Sequence, residues 1–147
     1  MSQSLAEDMR DDWVALVQAI HPSTYRSNVQ DVYTTWKNIE QLSRWPSVCV
    51  LMGSEKLVTK DTSATRWQSE IDMMLLGYAK QSDLEALAHD LKRIVCANLQ
   101  THITGSDRYR VMRERPIVLT RSLIPDHDVY WISVQFQVEL LAQATSF

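Results

Sequence analysis

The segment covering residues 129–142 constrains this chain more than any other. Tyr130, Ile132, Val134, Phe136, Val138 and Leu140 occupy consecutive even positions, and Trp131, Ser133, Gln135, Gln137 and Glu139 occupy the odd ones. Period-two alternation over this length predicts a strand with one face in a core and a polar face opposite. At ~3.3 Å per residue it spans about 40 Å, whereas a typical strand has five or six residues. That is close to the full width of a domain built from 147 residues. A strand this long must bend, project, or continue a sheet into another chain. Left as an open edge it would invite aggregation, so an oligomer is the simplest expectation.

The elements before it predict the rest of an α+β domain. Residues 4–20 read as an amphipathic helix, with Leu5, Met9, Trp13, Leu16, Val17 and Ile20 on one stripe. Ser4 and Glu7 have capping-box spacing, and His21-Pro22 stops the helix. Residues 29–36 are β-branched and aromatic and predict a strand, and 38–43 can form one helical turn. Residues 46–52 predict a second strand, entered through Pro46, with Val48, Val50 and Met52 facing one way. Gly53-Ser54 is expected to break it, and residues 56–64 to form an exposed loop or hairpin tip.

Residues 66–80 predict a long strand with Trp67, Ile71, Met73 and Leu75 on one face. Gln68, Glu70 and Asp72 begin the other face, which turns apolar at Met74, Leu76 and Tyr78. A second helix follows, with Ser82 and Glu85 at capping-box spacing. Its apolar face holds Leu84, Leu87, Ala88, Leu91, Ile94, Val95 and Leu99, and Gly105 is its expected stop. Residues 109–123 read as extended, interrupted at Arg115-Pro116, with a turn at 124–128. Two main helices flanking an antiparallel or mixed sheet make a single α+β domain over residues 1–147.

Composition narrows the function classes. The chain has three glycines and a net charge of −3. The first disfavours a Gly-rich phosphate loop, and the second disfavours nucleic-acid binding through bulk charge. The polar start has no secretory pattern, and no apolar run approaches a membrane span. A soluble cytoplasmic product is expected, with Cys49 and Cys96 both free and buried.

No nucleotide-loop, zinc-protease, nucleophile-elbow or paired-cysteine motif is present. His21, His89, His102 and His127 fall in separate elements. Glu70 and Asp72 share a strand face, an arrangement that can hold a divalent cation or serve acid–base chemistry, or simply face solvent. Asp126-His127-Asp128 lies in a turn, where Asp is expected for geometry alone. Arg108, Arg110, Arg113, Arg115 and Arg121 form the one concentration of charge. Guanidinium groups favour carboxylates and phosphates, so this segment can line a DNA passage, meet acidic groups of a neighbouring subunit, or face solvent. Trp131 points to the polar side of its strand, and tryptophan and arginine are over-represented at interfaces.

Four features together carry a family resemblance. They are the N-terminal helix ending at Ala19-Ile20, the segment Trp45-Pro-Ser-Val-Cys-Val-Leu-Met-Gly-Ser-Glu55, the long strand ending Leu76-Gly-Tyr-Ala79 that runs into the second helix, and the closing strand over residues 130–141. In this order the chain resembles the tail terminator (tail completion) proteins of long-tailed bacteriophages and their minor tail and neck relatives. The resemblance implies a sheet flanked by helices, assembled as a homohexameric ring that caps the tail tube, ends its polymerisation and offers a joining surface to the head. It implies a virion protein assembled in the host cytoplasm, with no catalysis, metal or cofactor. Its partners would be the tail tube protein, the head-completion or connector protein, and DNA passing through the ring; a membrane is not expected. Arg108, Arg110, Arg113, Arg115 and Trp131 are then candidates for the subunit joint or the DNA channel. The alternatives are a neck or head–tail connector subunit, a small metal-dependent enzyme using Glu70 and Asp72, and a monomeric ligand-binding module.

Overall fold

The computed structural model describes residues 4–59, 66–97, 109–112, 114–125 and 127–143. Its first helix, α1 (Leu5–Gln18), begins where the capping box places it. The Ser4 hydroxyl accepts from the Glu7 N–H at 3.1 Å, and the Glu7 carboxylate accepts from the Ser4 N–H at 3.1 Å. The Ser4 backbone N–H foremost, and the Ser4 side chain after it, hold the Glu7 carboxyl below its ordinary pKa. Leu5, Met9, Trp13, Val17 and Ile20 are buried from the stripe, while Leu16 packs at its margin.

Among the described residues six strands follow in one mixed sheet: β1 (Asp31–Tyr33), β2 (Ser47–Thr59), β3 (Arg66–Ala79), β4 (Tyr109–Val111), β5 (Val118–Leu123) and β6 (Tyr130–Gln143). The second helix, α2 (Gln81–Ala97), connects β3 to the C-terminal strands. The sheet order is β1-β2-β3-β6-β4, with β5 also on the outer side of β6. Only β1 and β2 are parallel. The fold class is therefore α+β, as the sequence predicts.

Both helices pack on one sheet face. Val48, Val50, Ile71, Met73, Leu75, Ile132, Val134, Phe136, Val138 and Leu140 meet Trp13, Val17, Leu87, Leu91 and Val95 in one core. The even positions of β6 from 130 to 140 all point there, so period two reads through to packing. Gly77 sits where α2 comes closest. A Cβ built on it would lie 2.8 Å from Leu87 Cδ2, inside normal contact distance, and Leu87 is fully buried. Gly77→Val is expected to lower unfolding free energy by roughly 1–3 kcal/mol through overpacking. Urea denaturation checks this; a change within about 0.5 kcal/mol, the noise expected of unexceptional sites, would show that the helix yields instead.

Several sequence expectations are corrected. The strand predicted over 29–36 shrinks to β1, because the chain leaves the sheet at Thr34. Parallel neighbours need a long crossover, and residues 34–46 supply it, carrying one 3-10 turn, Ile39–Gln41. Gly53-Ser54 does not end β2. The pairs Met52↔Met73 and Glu55↔Ile71 leave Gly53 and Ser54 opposite Asp72 alone, a β-bulge, and the strand continues to Thr59. Residues 56–59 of the expected loop are thus strand, and 60–64 lie outside the described residues. The helix α2 starts at Gln81, which puts Ser82 inside its first turn rather than at the cap. Cys96 is exposed, not buried. The expected helix stop at Gly105, and Leu99, lie outside the described residues.

The long strand is as expected, but its length is satisfied within the chain. On one side β6 pairs with β3 from Tyr130 to Gln143. On the other, β5 covers residues 130–135 and β4 covers 138–140, with the Met112 N–H donating to Gln137 O at 2.8 Å between them. Among the described residues the open edges fall on other strands, the outer half of β2 foremost.

Candidate interaction surface

The sheet face turned away from the helices carries two unlike ends. At one end Cys49, Leu76, Tyr78, Val129 and Leu42 form a second small core. It exists because the 34–46 crossover folds back over the sheet, and the Tyr78 hydroxyl anchors it by donating to Lys37 O at 2.9 Å. Trp45 and Trp131 pack at its margin, and Lys80 Nζ lies 5.8 Å from the Trp45 ring centroid. Trp131 is thus half-buried against its own chain. It also lines a shallow apolar concavity of about 420 Å³ together with Trp36, Ile39, Met74, Leu76 and Ile124.

Burial pushes the Cys49 thiol above its ordinary pKa, against a smaller opposite pull from Lys37. A buried, protonated thiol is unreactive. We expect one thiol per folded chain, that of Cys96, to react with a disulfide reagent, and Cys49 to react only on unfolding. Rapid labelling of both in native buffer would contradict the packing over Cys49.

The other end of this face is ionic. Strand register brings Lys56, Glu70 and Glu139 side by side across β2, β3 and β6, with Asp72 beside Gln137. The Gln137 amide donates to Asp72 Oδ1 at 2.7 Å, and the Gln68 amide donates to Glu70 Oε1 at 3.1 Å. Arg115, on the connection between β4 and β5, reaches back over β6 to within 3.8 Å of Glu70 Oε2. Between the two ends lies an open concavity of about 580 Å³, lined by Met52, Asp72, Met74, Arg115, Val118 and Gln135.

The three described arginines of this segment therefore do not form one cationic patch. Arg110 donates through Nε to Glu139, its partner in strand register, and through Nη2 to Glu114 at 3.1 Å. Arg121 donates to Glu85 on α2 at 2.9 Å. Each of Arg110, Arg115 and Arg121 meets a carboxylate of its own chain. Arg108 and Arg113 lie outside the described residues. Self-pairing is an outcome that the sequence count of arginines did not separate from DNA, neighbour or solvent.

The carboxylates Glu70 and Asp72 share a face as predicted, but Gln68 and Arg115 engage the two oxygens of Glu70, and Gln137 engages Asp72 Oδ1. Among the described residues no three His, Cys, Asp or Glu side chains gather as a metal site. His89 is exposed, His21 Nδ1 lies 3.0 Å from Asn28 Oδ1, and His127 stands 3.9 Å from Glu40 in its turn. Asp126 and His102 lie outside the described residues. No helix of the described residues is long and apolar enough to cross a membrane.

Sequence reasoning missed the outer half of β2. Residues 52–58 are exposed without interruption, and Leu57 is 54% exposed within a strand. The signal was present in Leu57-Val58-Thr59, a short run of strand-favouring residues, but Gly53-Ser54 read as a stop. No protein-family model and no curated protein matches this chain.

Proposed function

We propose that this chain is a structural subunit of a long bacteriophage tail, of the tail terminator type. In this reading copies form a six-fold ring on the finished tail tube, block further addition of tube subunits, and present a surface to the head connector. The observation that carries it is the β2–β3 hairpin. Its outer strand holds seven consecutive exposed residues, 52–58, on a sheet whose second face is only partly covered. An exposed arm beside an open sheet face is what a protein that works by contact with other proteins requires. The engagement of Glu70 and Asp72 by neighbouring side chains supports a contact role over hydrolysis, and the self-paired arginines favour protein over DNA as the principal partner.

The test is the native mass of the purified chain, alone and mixed with tail tubes, with negative-stain images of both. Six-membered rings, or caps at one end of each tube, are the expected result. A chain that stays monomeric and ignores tube ends overturns the reading. Binding to connector particles but not tubes would move the subunit to the neck. Glu70→Ala combined with Asp72→Ala is expected to leave ring formation intact.

A further inference from the structure

Each side of the sheet carries a long stretch of edge that no strand covers among the described residues, and the two stretches lie at opposite ends of the strands. On the β2 side, β1 pairs only with residues 47–49, so among the described residues no strand covers 50–59. On the β6 side, β5 lies against residues 130–135, which are in register with residues 74–79 of β3 and so with the start of β2. Its own outer edge, Val118–Leu123, meets no further strand among the described residues. β1 and β4 each expose only a three-residue outer edge of their own, so the longest uncovered stretches among the described residues are 50–59 of β2 and the six residues of β5.

These two edges also carry the exposed apolar surface. The large apolar side chains exposed among the described residues are Met52, Leu57 and Val58 on β2, Val118 and Leu123 on β5, and Trp36. All but Trp36 belong to the two open strands. Edge strands that stay single are ordinarily blunted with lysine, proline or a bulge. Here β2 has one bulge and Lys56, but apolar residues follow both, and β5 contains no lysine or proline.

We propose that a second copy of this chain fills the vacancy, pairing the β2 edge of one copy with the β5 edge of the next to continue the sheet across the joint. The two edges differ, so the contact is head-to-tail and each copy keeps one free edge of each kind. Such a contact closes only as a ring or runs on as a filament. The diagonal placement offsets successive copies along the strand direction, and a sheet with constant offset closes when its strands tilt to the ring axis, as shear does in a barrel. Pairing over the six residues of β5 is small beside a standard interface, so two copies associate weakly and closure adds the decisive contact. This rests on the ring reading only in requiring that copies associate.

The experiment uses the full chain with Cys96→Ala, since Cys49 is buried. Leu57→Cys and Val118→Cys are made singly, mixed at several concentrations, and treated with a short bismaleimide. The expected product joins one β2 variant to one β5 variant, with neither variant alone giving a dimer. Leu57→Lys and Val118→Lys, made separately at these exposed sites, should each weaken association about tenfold or more by placing a charge in the apolar joint, with unchanged thermal melts. Homodimers of either cysteine variant, or no mixed product at any concentration, overturn the proposal. Caps on tube ends without the mixed product would sink the edge pairing and leave the terminator reading standing. Mixed product from a chain that ignores tubes would do the reverse.

Discussion

Asp90→Ala is expected to lower the free energy of unfolding by roughly 3 kcal/mol, enough to move the melting temperature by about 6–12 °C in a chain of this size. Asp90 lies in the apolar face of α2 and is fully buried. Its carboxylate accepts the Arg26 N–H on both oxygens, at 3.1 and 3.0 Å, the Ser27 N–H at 2.7 Å and the Ser27 hydroxyl at 2.6 Å. The chain between α1 and β1 has no ladder to satisfy these donors. Removing the acceptor strands the two donors of buried Ser27 away from water, which costs more than the bonds themselves contribute. One turn along, the Arg93 guanidinium donates to Thr24 O at 2.8 Å and lies 4.8 Å from the Tyr25 ring centroid. Together Asp90 and Arg93 pin the connection that orients α1. Ser27→Ala removes one donor with its bond and should cost only about 1 kcal/mol. Urea unfolding of the three proteins checks the order; an Asp90→Ala protein as stable as its parent would show that the connection does not hold the fold.

Trp13→Ala carries a comparable expectation, a loss of about 3–5 kcal/mol, because the cavity it leaves cannot collapse between a helix and a sheet. Trp13 is fully buried, and its ring stands 4.9 Å from the Phe136 ring, tilted by 54°. That contact joins α1 to the centre of β6, so the substitution weakens the seam between the N-terminal helix and the strand that organises the sheet. The indole N–H has no hydrogen-bond partner among the described residues. Trp13→Phe removes that orphaned donor while keeping an aromatic ring against Phe136, and it should cost less than about 1.5 kcal/mol. Equal losses for the two variants would mean that the indole N–H makes a bond in solution that outweighs the packing.

Both sites show where local pattern stops informing. The apolar stripe of α1 marks Trp13 as core from spacing alone, and the even positions of β6 mark Phe136; their meeting is a matter of which face α1 covers. Asp90 gives no such signal. It interrupts the apolar face of α2 as an acidic residue on a surface would, and nothing in its neighbours reveals that the Arg26 and Ser27 amides close on it. The candidate surface divides in the same way. Glu70 and Asp72 share a face by parity, and Trp131 lies on the polar side of β6 by parity. The partners that engage them come from residues distant in sequence, or from a side chain that crosses a strand.

By itself the sequence determined what period and chemistry can encode: two amphipathic helices, the long strands, their inward faces, the Ser4 cap, the Arg115-Pro116 interruption and the α+β class. These are short-range properties, because side-chain direction repeats every 3.6 or two residues whatever the chain meets later. Only the tertiary structure decided how the edges are used. The length of β6 pointed to another chain, yet β4 and β5 cover it from within. Gly53-Ser54 pointed to a stop, yet the β3 ladder absorbs the extra residue and carries β2 onward to an open edge. Edge and centre are properties of strand order, which depends on contacts between segments far apart in sequence, and no local pattern records them.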